Sequence, residues 1–218
     1  MTPEQLFTQE IKEAKVVKHL EPISSDDQNP RDSNVSFSCR ICYSADSTEQ
    51  NPCIVPCKCS GSVLYVHYKC LKNWLEIKRQ SRETQEYTTL FWKNFECEIC
   101  KFGYPYVFRV ENRVYKLVEI NRPKPGSNYM VLESLPTDRN TSRTIHVLQF
   151  NQNKPSFSMG RGHESVIRVN DISVSRLHAV ISYLGDGFYL QDNNSKFGTL
   201  VLMKENKFCL ETDKNYMF

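Results

Sequence analysis

Four close pairs of metal-ligand type lie between positions 39 and 100: Cys39 and Cys42, Cys57 and Cys59, His67 and Cys70, and Cys97 and Cys100. Zinc takes four nitrogen or sulfur ligands in a tetrahedron, and a short loop can present only two of them. Four pairs therefore make two complete sites, and two zinc ions are expected. An isolated cysteine usually packs as a small hydrophobe and an isolated histidine as a satisfied core residue, but eight such residues in register do not fit that pattern. Cys53 and Cys209 complete the nine cysteines and join no pair, so they read as structural or free thiols. The N-terminus (Met1, Thr2, Pro3, Glu4, Gln5) has no basic start followed by an apolar stretch. An odd number of clustered cysteines behind such a start implies thiolates held by metal in a reducing compartment, not disulfides.

The residues around the pairs carry more than spacing. Cys39-Arg40-Ile41-Cys42, Pro56-Cys57, Cys59-Ser60-Gly61-Ser62, Val66-His67, Cys70-Leu71-Lys72-Asn73-Trp74-Leu75 and Cys97-Glu98-Ile99-Cys100-Lys101 together resemble the RING-CH (RING-variant) family of ubiquitin ligases. The resemblance implies a cross-braced topology. Cys39, Cys42, His67 and Cys70 would hold one zinc, and Cys57, Cys59, Cys97 and Cys100 the other. A plant homeodomain finger shares the ligand order but usually places a tryptophan just before the seventh ligand, whereas Trp74 follows the sixth. The family forms no covalent intermediate; it docks a ubiquitin-conjugating enzyme and holds its ubiquitin thioester in a reactive pose, so catalysis is orientation. Its apolar docking cleft maps here to Ile41, Trp74 and Leu75, and Lys101 stands where active members often carry a cation bridging ubiquitin and the conjugating enzyme. The competing role of the apolar three is packing of a very small core. The 26 residues between Cys70 and Cys97 are long for the class and read as extended helix and loop.

Upstream, Thr2, Pro3 and Gln5 form an N-cap, first-turn proline and capping-box partner for a helix with Leu6, Ile11, Ala14, Val17 and Leu20 on its apolar positions. Residues 22–36, rich in Pro, Ser, Asp and Asn, read as a linker. The organisation expected is residues 1–36 as N-terminal helix and linker, 37–103 as the zinc module, 104–127 as a second linker that opens on an aromatic, strand-like stretch (Tyr104, Tyr106, Phe108), and 128–218 as a β-rich domain. From Tyr129 short β-prone runs recur between turns such as Gly185-Asp186-Gly187 and Asp192-Asn193-Asn194-Ser195, the pattern of a β-sandwich.

Within that segment, Ser158-Met159-Gly160-Arg161, Asp171 to Ala179 (with Ser175-Arg176-Leu177-His178) and Asp192 to Thr199 (with Lys196-Phe197-Gly198) resemble the forkhead-associated (FHA) family, a β-sandwich whose loops bind phosphothreonine peptides. The resemblance assigns Arg161, Ser175, Arg176 and Lys196 to the phosphopeptide and His178 to bracing the loop. A phosphate of about −2 charge asks for guanidinium and hydroxyl or backbone donors, which these residues supply. Phe197 departs from the asparagine the family often uses to contact the peptide backbone. The family also continues for more strands after the equivalent of Thr199, so about two closing strands are expected to be missing.

The fold class expected is thus multidomain, a small zinc-stabilised α+β RING-CH module followed by an all-β FHA-like sandwich. A net charge of +3, from 28 basic and 25 acidic residues, gives no electrostatic footprint for nucleic acid, and no apolar run is long enough to span a bilayer. The function expected is a zinc-dependent ubiquitin ligase, cytoplasmic or nuclear, whose partners are a ubiquitin-conjugating enzyme and a threonine-phosphorylated protein. The alternative is a non-catalytic adaptor with the same zinc and phosphopeptide sites.

Overall fold

The structure is a computed structural model that describes residues 15–16, 38–110, 112–135, 142–185, 187–201 and 216–217. It divides into two compact units, Met1–Gln80 with Phe91–Asn121 and Ser134–Thr144, and Ser81–Leu90 with Arg122–Glu133 and Ile145–Phe218.

The described residues of the first unit are built around one α-helix. A short ladder of β2 (Cys53–Ile54) and β3 (Val66–His67) leads into α1 (Tyr68–Ile77). Leu71 and Leu75, one turn apart, put the apolar stripe of α1 into the core. Trp92 packs beneath the helix, 2% exposed, and its indole Nε1 donates to the Leu75 carbonyl at 2.9 Å. Trp92 and Phe95 meet edge to face at 5.5 Å, and Phe95 meets Tyr104 at 6.4 Å. A hairpin of β6 (Val107–Val110) and β7 (Arg113–Lys116) adds Phe108, which is fully buried, stacks on Tyr115 and meets Tyr68 of the helix edge to face. Residues 104–118, where an aromatic, strand-like stretch opens the segment otherwise read as linker, carry two strands and the buried side chains of Tyr104, Phe108, Val110, Leu117 and Val118. Polar and basic residues alternate with these apolar ones, which masks a half-buried hairpin in composition. The expected N-terminal helix lies outside the described residues except at Lys15–Val16. These form β1, paired parallel with β6, so the helix does not run through them.

Among its described residues the second unit is all β apart from its turns. One sheet has the order β11-β10-β12-β13-β14, formed by β10 (Ser156–Gly160), β11 (Ile167–Arg168), β12 (Ala179–Leu184), β13 (Gly187–Asp192) and β14 (Tyr216–Met217). Phe157 pairs with Ile181 and Ile181 with Leu190, so alternate residues of adjacent strands face one core. A second sheet takes the order β4-β5-β9-β8, from β4 (Gln80–Glu83), β5 (Tyr87–Trp92), β8 (Asn128–Glu133) and β9 (Arg143–Phe150). Leu148, Phe150, Phe157, Ile167 and Ile181 are buried together, with Phe150 and Phe157 edge to face at 5.0 Å.

Ser81–Leu90 belongs to this second unit although it lies between the sixth and seventh members of the cysteine and histidine array. The stretch read as extended helix and loop is a hairpin after Ile77, because Tyr87–Trp92 is rich in β-branched and aromatic residues and buries Leu90 and Trp92 on one side. Among the described residues no helix is long and apolar enough to cross a membrane.

Candidate functional site

The cysteine and histidine pairs meet in two clusters of the first unit. Cys39, Cys42, His67 and Cys70 form one, Cys57, Cys59, Cys97 and Cys100 the other, and the ligand atoms of each lie within 4.8 Å of one another. Two similar turns present the C-x2-C pairs. Tyr43 N–H donates to the Cys39 carbonyl and Lys101 N–H to the Cys97 carbonyl, both at 2.8 Å, and Tyr43 and Lys101 carry φ of 61° and 58°. The left-handed residue after each pair curls the loop so that both sulfurs face one point. His67 ends β3 and caps α1, and Cys70 follows within the first helical turn, so strand and helix together aim the third pair.

The geometry suits zinc. A tetrahedron with Zn–S bonds of about 2.3 Å separates its sulfurs by about 3.8 Å, and Cys59 Sγ and Cys97 Sγ stand 3.6 Å apart. His67 Nδ1 faces Cys42 Sγ at 3.2 Å and Cys70 Sγ at 3.9 Å. Its buried Nε2 meets no partner among the described residues. Burial, reinforced by neighbouring thiols, pushes Cys59 and Cys70 up to about 12. At Cys97 burial acts the same way but is outweighed by N–H groups of Cys100 and Ile99 and by the Tyr104 hydroxyl, which bring it down to about 6. Thiols this close cannot all ionise without a cation among them, and a dication resolves the conflict. Two zinc ions fit the two clusters. Cys53, in neither cluster, is 1% exposed and burial raises it to about 11, the state of an inert structural thiol.

The four residues expected at the docking cleft divide. Ile41 and Trp74 are on the surface, 38% and 37% exposed, Ile41 between Cys39 and Cys42 and Trp74 on α1 one turn beyond Cys70. Lys78 lies over the Trp74 ring at 4.3 Å and pairs with Glu98. Leu75 is only 2% exposed, so it packs in the core and cannot offer a docking contact as it stands. Helical periodicity accounts for this, since Leu71 and Leu75 share the inward stripe while Trp74 is turned away. Lys101 is exposed, with its ammonium 3.9 Å from Glu96. Ile99, exposed in the second turn, escaped the sequence reading because the motif offers no direction for its side chain.

In the second unit the loops after β10 and β11 are stitched to one another. Arg161 and Gly162 donate their N–H groups to the carbonyls of Ser175 and Arg176, both at 3.0 Å. That approach requires Gly160, where a Cβ would stand 2.1 Å from the Arg176 oxygen. Arg161 Nε donates to Val174 O at 3.0 Å, which aims the rest of the guanidinium outward. His178 Nδ1 accepts from Ser175 N–H at 3.1 Å, leaving Nε2–H to donate to Gly198 O at 3.2 Å, so this buried ring ties two loops together. Ser175 Oγ accepts from the Lys196 N–H at 3.0 Å, and Asp192 accepts from Ser195 and Thr199. Arg161 and Arg176 line one cavity of about 660 Å³, joined by Arg168, which no motif had indicated. Lys196 is not part of that lining; its ammonium lies 5.2 Å from the ring of Phe197, which is 64% exposed.

The family model of the RING-variant domain matches residues 39–100, and that of the FHA domain matches residues 157–212. Among curated proteins, E3 ubiquitin-protein ligase MARCHF7 of Mus musculus is 39% identical over 99 residues, which are 45% of this chain and 12% of that protein. Probable E3 ubiquitin-protein ligase MARCHF10 of Homo sapiens is 40% identical over 65 residues, 30% of this chain and 7% of that protein. E3 ubiquitin-protein ligase MARCHF8 of Xenopus laevis is 33% identical over 85 residues, 38% of this chain and 26% of that protein. The chain thus spans about an eighth of the length of the MARCHF7 relatives it matches. No solved structure matches.

Proposed function

We propose that this chain, with its RING-variant and FHA domains, is a zinc-dependent ubiquitin ligase that docks a ubiquitin-conjugating enzyme and recruits threonine-phosphorylated proteins. Cys39, Cys42, His67 and Cys70 hold one zinc, and Cys57, Cys59, Cys97 and Cys100 the other. With four protein ligands each, both ions are structural and supply folding free energy, not an open coordination position.

The observation that carries the reading is the exposure of Ile41 and Trp74 on the two elements that the first cluster ties together. Ile41 sits inside the Cys39–Cys42 turn, and Trp74 rides on the helix that begins with His67 and Cys70. A single ion on those four ligands fixes the turn and the helix as a rigid apolar edge, which suits docking of a conjugating enzyme. The chemistry is then transfer of ubiquitin from the conjugating enzyme's thioester, helped by orientation. Lys101 is the cation available to contact the bound ubiquitin.

Arg161 and Arg176, with the donors of the Ser175 and Lys196 loops, suit a phosphothreonine, and Arg168 in the same cavity adds positive charge for the flanking peptide. Seven reduced cysteines in the two clusters favour the cytoplasm or nucleus as the place of action. Autoubiquitination across a panel of conjugating enzymes tests the ligase. A two-zinc protein that binds phosphopeptide but transfers no ubiquitin is the adaptor instead.

A further inference from the structure

We infer that Arg40 is a bridge between the two zinc sites, belonging by sequence to the first and by its hydrogen bonds to the second. Its backbone lies between Cys39 and Cys42, and its N–H donates to Tyr65 O at 3.0 Å. Its half-buried side chain turns to the other cluster. Nη1 donates to Val63 O at 2.7 Å and to Cys57 Sγ at 3.5 Å, and Nη2 donates to Tyr104 Oη at 3.1 Å and to Cys97 Sγ at 3.6 Å. One planar fork thus touches two of the four sulfurs of the second cluster.

The inference rests on the two-zinc reading above. Four thiolates around a dication leave a formal charge of about −2, against about −1 for three thiolates and a neutral histidine. The second site is therefore the one that gains from a cation, and a half-buried guanidinium at its sulfurs is stronger than one in water. Lysine has the charge but, as a single point, cannot serve two sulfurs, a carbonyl and a hydroxyl together. Outer partners of metal ligands typically change affinity by about 10–100-fold when removed.

The consequence is coupling. An ion on the first cluster fixes the Cys39–Cys42 turn and so the base of Arg40, which then holds the sulfurs of the second. Loss of the first ion frees that turn and weakens the second site. Binding linkage makes the effect reciprocal.

The test uses the full chain loaded with cobalt, whose absorption bands distinguish an all-sulfur site from one with three sulfurs and a nitrogen, titrated with a competing chelator. Wild type should bind two cobalt ions; any other stoichiometry sinks the two-zinc reading itself. Given two, Arg40→Gln should release the all-sulfur ion about 10–100-fold more readily, Arg40→Lys should fall between it and wild type, and the mixed-ligand bands should persist in both. Cys42→Ala should also weaken the all-sulfur site, and adding Arg40→Gln to it should weaken that site little further. Equal behaviour of Arg40→Lys and wild type, loss of the mixed site first, or fully additive losses in the double variant would each overturn the inference. If Arg40→Gln fails to fold even at saturating cobalt, the lysine variant and the Cys42→Ala titration decide it.

Discussion

Arg161→Ala should weaken binding of a threonine-phosphorylated peptide about ten- to a hundredfold. The guanidinium is not paired to a carboxylate among the described residues; its Nε is held by Val174 O at 3.0 Å and its backbone N–H by Ser175 O. Its two terminal nitrogens are therefore oriented and available before any ligand arrives, so little ordering cost offsets what they gain. A charge-assisted bond to phosphate contributes about 1.5–3 kcal/mol, and at about 1.4 kcal/mol per decade this gives the stated range. Arg161→Lys should recover only part, because an ammonium loses both the fork and the Val174 bond. Isothermal titration with a degenerate phosphothreonine peptide library and its dephosphorylated counterpart reads the effect. Wild-type affinity in Arg161→Ala, with phosphorylated peptide still preferred, would show that the phosphate lies elsewhere; equal or absent heats for both libraries would leave the domain a scaffold.

Four further outcomes are expected. Gly160→Ala should reduce peptide binding and thermal stability together, measured by titration and calorimetry, because the added methyl meets the Arg176 carbonyl carbon at 2.8 Å as well as its oxygen. Trp92→Phe should lower the unfolding free energy of the first unit by about 1–3 kcal/mol, since it strands the Leu75 carbonyl and opens a void in a closed core. Burial brings His146, hydrogen-bonded to Thr89, down to about 4. Below about pH 6.5 the unfolded state then takes up a proton that the folded state refuses. The His146 contribution, read by denaturant unfolding as the difference in unfolding free energy between wild type and His146→Gln, should therefore fall from pH 6.5 to 4 and be level below that. Cys39→Ser or Cys97→Ser should cost zinc by elemental analysis and lower the thermal stability of the first unit while the β-rich signal of the second survives.

How far these features could be read in advance follows from the range of the interactions. The ligand pairs were legible because metal chemistry forces a local spacing, and the loop residues Gly160, Arg161, Ser175 and His178 because they fall in short motifs that resemble a known family, although their partners lie in other loops. Orientation on a helix is legible in principle too: the motif maps Leu75 to the docking cleft beside Trp74, with core packing as its competing role, and the spacing from Leu71 turns it inward. What could not be read were pairings decided by distant partners. The hairpin of β4 and β5 lies inside the zinc array by sequence but buries Leu90 in the second unit. The strand-like stretch through Phe108 is legible in sequence, but its pairing with residues 113–116 and its packing on Tyr68 and Tyr115 are not. No reading of the sequence gives Arg40 or Arg168 these roles, because nothing local records that one reaches sulfurs 17 and 57 residues away or that the other shares a cavity with Arg161.

The central claim is most directly tested by discharge of the ubiquitin thioester from a panel of conjugating enzymes in the presence of the full chain. Wild-type protein with two zinc ions should accelerate discharge from at least one enzyme, and Ile41→Ala and Trp74→Ala should abolish the acceleration with zinc content unchanged. No acceleration from any enzyme by protein holding both ions, or equal acceleration by wild type and both variants, would contradict the account.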